Sequence, residues 1–242
     1  MVSLITKERP EGAIHETLRF SYEKRGALAY ISHLDVLRTM TKACLRANLP
    51  LYYSEGFSPH PKLSFAAPLP VGQESVCEYF DVRLASPMAP EDAMAALNAT
   101  LPAGLTVKAA GYPAKKFTEV AAAEYEIVIR THGADALMSD ALAVLLSAKP
   151  LTVYKRSKAG DRDVDISPNI LGVRGEFSDG AIRLSVTLRA EGGAFLNTDY
   201  LLSYLKKEAG ILSTDPLSES ATVLRRALLD AEGNVFTEES LL

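Results

Sequence analysis

The chain has only four histidines, and two of them stand among neighbours that could give an imidazole work to do. In Ser32-His33-Leu34-Asp35 the serine reads as a helix N-cap and the aspartate as the acid that suits the positive end of the dipole. His33 then falls in the first helical turn, where a charged imidazole is disfavoured and the neutral form can accept a proton or bind a ligand; its other reading is as part of the cap. His60 stands in the run Tyr52-Tyr53-Ser54-Glu55-Gly56-Phe57-Ser58-Pro59-His60-Pro61-Lys62. Glycine and two prolines make that run a rigid, shaped loop, the usual place for binding groups, or a stiff connection whose aromatics pad the core. Were His33 and His60 to converge, one could accept a proton while the other donated, as RNA cleavage requires. Two separated histidines and an aspartate have no metal-ligand spacing, so neither a metal nor a cofactor is expected.

Cations form the second set of candidates. Arg38, Lys42 and Arg46 recur every four residues, which places them on one helical face, either as a binding stripe or as a solvated surface. Strand parity groups Arg19, Lys62, Arg83, Arg130, Arg183 and Arg189 on sheet faces opposite the apolar residues. Such faces suit a phosphate backbone, although Asp81 and Glu126 share them. A third basic cluster, Lys155-Arg156-Ser157-Lys158 with Arg162, is diluted by Asp161, Asp163 and Asp165. No aromatic pair stands where an RRM stacks bases.

These residues need elements to hold them. Leu18, Phe20 and Tyr22 alternate with Thr17, Arg19 and Ser21, which predicts a half-buried strand. A helix follows from Ser32, with Leu34, Leu37, Thr41, Cys44 and Leu45 as its apolar stripe and Pro50 as its stop. Strands are expected at 62–66 and 77–84, a helix from Pro90 to before Pro102, and a strand at 105–109. The order β-α-β-β-α-β then recurs: a strand at 125–129, a helix at 134–148, strands at 151–156 and 183–189, a helix from Asn197 or Thr198 to Gly210, and a strand at 222–229. The fold class is therefore α+β, as two tandem ferredoxin-like βαββαβ domains, residues 1–113 and 114–242. A linker is expected at 112–123 and a frayed acidic tail at 231–242.

Length and composition fit this reading. A chain of 242 residues, 48% hydrophobic and 23% charged, suits two modest cores. No apolar run reaches the length of a membrane span and no signal peptide opens the chain, so a cytoplasmic protein is expected. Cys44 and Cys77 are its only cysteines; they read as buried thiols and are too few for a cysteine-ligated iron–sulfur cluster. A net charge of −4 argues against a generic nucleic-acid glue, and the deficit lies wholly beyond residue 113, so local patches must decide the partner.

Tyr30–Asp35, Glu55–Phe65 and Pro68–Gly72 resemble the bacterial radical SAM-linked protein family, closely across residues 15–85 and more loosely up to Leu224-Arg225-Arg226. The resemblance implies a partner, a radical SAM protein, and genes lying near those of an RNase of the G/E type and of ribosomal proteins. It carries over no catalytic residue; Ser32, His33, Asp35, Gly56, Phe57, Pro59, His60 and Lys62 transfer as signature positions. The chain has no CxxxCxxC motif, which makes it the stand-alone form and not itself a cleaver of S-adenosylmethionine. The tandem fold also resembles RAMP-type CRISPR RNA endonucleases, but Gly192-Gly193 is too short to match their glycine-rich loop. Three expectations follow: a non-catalytic RNA-binding or substrate-presenting partner of a radical SAM enzyme, a metal-independent RNA endonuclease using His33 and His60, or a protein–protein adaptor.

Overall fold

The computed structural model describes residues 5–6, 16–155, 160–192, 195–212 and 218–236. The chain divides into two compact units, Met1–Val120 with Ala227–Leu242, and Ala121–Arg226. The first therefore takes in the end of the chain.

In the first unit the order is β1 (Ile5–Thr6), β2 (Glu16–Lys24), α1 (His33–Arg46), β3 (Leu63–Phe65), β4 (Gln73–Leu84), α2 (Pro90–Asn98) and β5 (Leu105–Pro113). The strands lie in the order β1-β5-β2-β4, with β3 also pairing with β4, and the pairings of β2 with β4 and β5, and of β3 with β4, are antiparallel. This is the ferredoxin-like arrangement, with β1 added at an edge. Leu18, Phe20 and Tyr22 turn to the helices and pack with Phe80, Val82, Val36, Met40, Ala43 and Leu97. Phe20 and Phe65 both stack on Phe80, with centroids 5.1 and 5.6 Å away.

Helix α1 starts at Ser32, whose hydroxyl accepts from the Asp35 amide at 3.2 Å and donates to the Asp35 carboxylate at 2.6 Å. These bonds hold the Asp35 carboxyl below its usual range. The helix's buried stripe is Val36, Met40, Ala43 and Cys44, which shares only Cys44 with the expected set of Leu34, Leu37, Thr41, Cys44 and Leu45. Leu34 and Leu45 stay exposed, because the first unit's core meets the helix along the line of Val36, Met40 and Ala43. The turn that leads into the helix, Gly26–Tyr30, is anchored by buried Lys24, whose Nζ donates to the carbonyls of Ala29 and Ile31 at 3.2 and 3.5 Å. Burial pushes the Cys44 thiol up to about 12.

In the second unit β6 (Ala122–Arg130), α3 (Ala136–Leu146), β7 (Thr152–Lys155), β8 (Arg162–Asp165), β9 (Ile170–Ser178), β10 (Ala181–Arg189), α4 (Thr198–Ala209) and β11 (Ser220–Leu229) follow in turn, the last strand passing the division at Arg226. The order β11-β6-β10-β9 is again ferredoxin-like. The strand expected at 151–156 is not part of this sheet: β7 pairs with β8 in a separate hairpin. The sheet's edge strand is β9, which is not expected from the sequence because Gly172 and Gly175 break its apolar alternation. Gly175 has a steric reason: a Cβ there would stand 2.5 Å from the carbonyl oxygen of Ser139 in α3.

Parts of the expected linker and of the expected tail pack within the first unit. Within 112–123, Phe117 lies with its ring centroid 4.0 Å from the Arg19 guanidinium. Within 231–242, Phe236 is wholly buried and packs edge-on against Tyr79, 5.9 Å between centroids; residues 237–242 lie outside the described residues.

Candidate functional site

Strand parity places Arg19 correctly on the helix-free side of the first sheet, but not in solvent: only 1% of the residue is exposed. Its Nε and Nη2 donate to the two oxygens of Asp81 at 2.7 and 2.9 Å, and Phe117 covers it. Nη1 is buried without a hydrogen-bond partner. Burial raises the Asp81 carboxyl above its ordinary value even though Arg19 pulls the other way. Arg19 is thus a wall of the site and not a contact on its surface.

Beyond this pair lies a cleft of about 430 Å³ lined by Thr17, His60, Lys62, Ser64, Asp81 and Arg83 among others. Its residues meet by register: Thr17 stands opposite Arg83, and Ser64 opposite Asp81. Tyr52 props both cations, its ring centroid 4.9 Å from the Arg83 guanidinium and 5.4 Å from Lys62 Nζ. Among the described residues neither Lys62 nor Arg83 has a carboxylate within ion-pairing distance. The reason is local: both oxygens of Asp81 are taken by Arg19. Lys62, Arg83 and His60 are singled out by the sequence, and Tyr52 only as the start of the signature run; Thr17 and Ser64 are not, because only cross-strand register sets them beside Arg83 and Asp81.

The loop from Tyr53 to Pro61 is closed at its base by a bridge between those two residues and by the Ser54 amide donating to the His60 carbonyl at 2.9 Å. Gly56 holds φ +123° with open space around it, a conformation other residues avoid. Phe57, beside it, and Pro59 are exposed. The His60 amide donates to Ser54 Oγ at 3.2 Å, and that oxygen stands 3.0 Å from Nδ1. Nδ1 also lies 3.3 Å from the Ser58 carbonyl oxygen, so the loop itself holds this edge of the ring.

His33 is elsewhere. It meets Phe65 edge-on at 5.3 Å, and Phe65 packs with the core on the helix side, whereas His60 lines the cleft on the opposite side. The two imidazoles are not brought together. Burial lowers the His33 pKa, opposed by Glu78 and reinforced by Lys24; nothing in the sequence pattern marks Lys24 or Glu78 as buried. The stripe of Arg38, Lys42 and Arg46 faces solvent on the outer side of α1. Arg38 pairs with Asp35 at 3.1 Å and Arg46 donates to the Thr100 carbonyl at 2.9 Å, so this stripe does not join the cleft.

In the second unit Arg183 lies 3.8 Å from Glu126 and 3.4 Å from Asp179, and Arg189 pairs with Glu191 at 2.8 Å. Arg130 is exposed. Arg183 and Arg189 are therefore largely neutralised, unlike Lys62 and Arg83. Of the basic loop, Lys155 Nζ lies 6.0 Å from the Tyr200 ring centroid; Arg156, Ser157 and Lys158 lie outside the described residues. Among the described residues no three His, Cys, Asp or Glu side chains converge as a metal site, and no helix is long and apolar enough to cross a membrane.

Residues 17–197 match the family described as "Uncharacterized protein conserved in bacteria (DUF2344)". The chain belongs to that family. The match covers the cleft, α1 and the second unit up to the N-cap of α4. No curated protein matches the chain. Among solved structures, a chain of a Cbf5-Nop10-Gar1 complex is similar at 12% identity and TM-score 0.42, over 86% of this chain and 49% of that one, so this chain spans about half its length. An unknown protein from Galdieria sulphuraria aligns at 13% identity and TM-score 0.25, covering 87% and 98% of the two chains. A putative glycine cleavage system transcriptional repressor aligns at 12% and 0.24, covering 88% and 99%. Likenesses this distant support no transfer of function.

Proposed function

We propose that this family member is a non-catalytic RNA-binding protein that presents its RNA to a radical SAM enzyme, with the cleft on the helix-free face of the first unit as the contact. The observation that carries the reading is the pair Lys62 and Arg83, propped on Tyr52 and left without a carboxylate partner among the described residues. Directed cations of this kind suit phosphate oxygens. Exposed Phe57, in the loop that ends in the cleft, supplies a face on which a base can stack. The separation of His33 from His60 favours binding over acid–base cleavage, because general catalysis needs both groups within reach of one centre. The radical SAM partner and a cytoplasmic location rest on the family resemblance and the composition.

The test is fluorescence anisotropy of single-stranded RNA against a salt series. Affinity should fall steeply with salt. Lys62→Ala and Arg83→Ala each take away one phosphate partner, and each should reduce the logarithmic slope by about 0.7. Co-purification from cells should bring down RNA together with a radical SAM protein. An absence of RNA binding at low salt would sink the reading and leave the adaptor; RNA cleavage that both His33→Ala and His60→Ala abolish would favour the nuclease.

A further inference from the structure

The cleft holds two cations without a carboxylate partner among the described residues, one positive charge more than an internal phosphodiester neutralises. Lys62 and Arg83 line a space of about 430 Å³ together with Thr17, Ser64 and His60. An internal phosphodiester offers two non-bridging oxygens and one negative charge. A terminal phosphomonoester offers three oxygens and about −1.5 to −2 charges at neutral pH. From this count we infer that the cleft takes the terminal phosphate of an RNA strand in preference to an internal one. The inference rests on the polyanion reading of the same cleft and narrows it to a ligand class.

Two further features fit a dianion. Asp81, the carboxylate in the cleft's lining, has both oxygens held by Arg19 at 2.7 and 2.9 Å, so the wall offers an incoming phosphate little repulsion. The same pair stops Asp81 from capturing Arg83 or Lys62, and both cations lie against the Tyr52 ring.

The shared chemistry of an RNA end and free phosphate requires arms that separate them. Oligoribonucleotides of one sequence, carrying a 5′-phosphate, a 3′-phosphate or hydroxyls at both ends, are titrated against the full chain, with inorganic phosphate as competitor. One phosphorylated end should bind about tenfold more tightly than the hydroxyl-ended strand, which corresponds to about 1.4 kcal/mol. Inorganic phosphate should remove that advantage, and Lys62→Gln with Arg83→Gln should abolish it. Equal, salt-dependent affinity for all three strands would overturn the terminal-phosphate inference and leave the polyanion reading standing. Protection of the fold by inorganic phosphate without any gain from a phosphorylated end would overturn RNA as the source. Failure of every strand to bind would remove both.

Discussion

Replacing Arg19 with methionine tests how the cleft is built. The substitution keeps most of the apolar stem against Phe117 but leaves Asp81, whose side chain is 15% exposed, without its charge partner. Removing one member of a buried pair costs about 3–5 kcal/mol, and giving up the cation–π interaction with Phe117 adds about 0.5–2 kcal/mol. With a urea dependence of about 2 kcal/mol per molar, the first unit's midpoint should drop by about 2–3.5 M. The chain has no tryptophan, so tyrosine fluorescence and far-ultraviolet circular dichroism are the probes. Removing both partners, as Arg19→Met with Asp81→Leu, should recover most of that loss, since buried pairs often tie with apolar replacements. The sign of the Asp81 shift agrees. Its folded pKa lies above the ordinary value of 3.8, so the native state takes up the proton more readily; the resulting stabilisation is complete below 3.8 and disappears as pH rises through the folded pKa. The double variant should lack this pH dependence. A single variant as stable as the wild type, or a double variant no better than the single, would refute the reasoning.

Replacing Arg38, Lys42 and Arg46 together with alanine should leave RNA affinity unchanged, because the stripe lies across the sheet from the cleft; a weakening equal to that of Lys62→Ala, measured by anisotropy, would join the two surfaces. Gly175→Ala should destabilise the second unit by about 1–3 kcal/mol through overpacking against Ser139, read by thermal melting. Phe57→Ala should weaken RNA binding with no change in melting temperature, since the ring is fully exposed. The Asp165 carboxyl accepts from the amides of Ser167 and Leu151, each at 2.9 Å, which holds its pKa below the usual aspartate value of 3.8. Its stabilising contribution is therefore complete above that value and disappears as pH falls through the depressed folded pKa; Asp165→Asn should flatten this acid limb in a pH series of melts.

Alternation and helix punctuation in the sequence determined the α+β class, the βαββαβ order of the first unit and the start of α1 at Ser32. These are local signals: one residue's neighbours decide which way Leu18, Phe20 and Tyr22 face, and Ser32 caps its own turn. The signature loop from Tyr52 to Lys62 was legible for the same reason, since glycine and proline restrict the backbone wherever they stand. The edge strand β9 was not legible, because Gly175 is set by the approach of α3 and not by its sequence neighbours. Nor was the burial of Arg19: parity placed it on the helix-free face, but Phe117, far later in the chain, covers it. The tertiary structure alone decided which cations are spent and which remain. Arg183 and Arg19 meet carboxylates of neighbouring strands, while Lys62 and Arg83 meet Tyr52. Charge type is written in the chain, but its neutralisation depends on which residues cross-strand register and packing bring within a few ångströms.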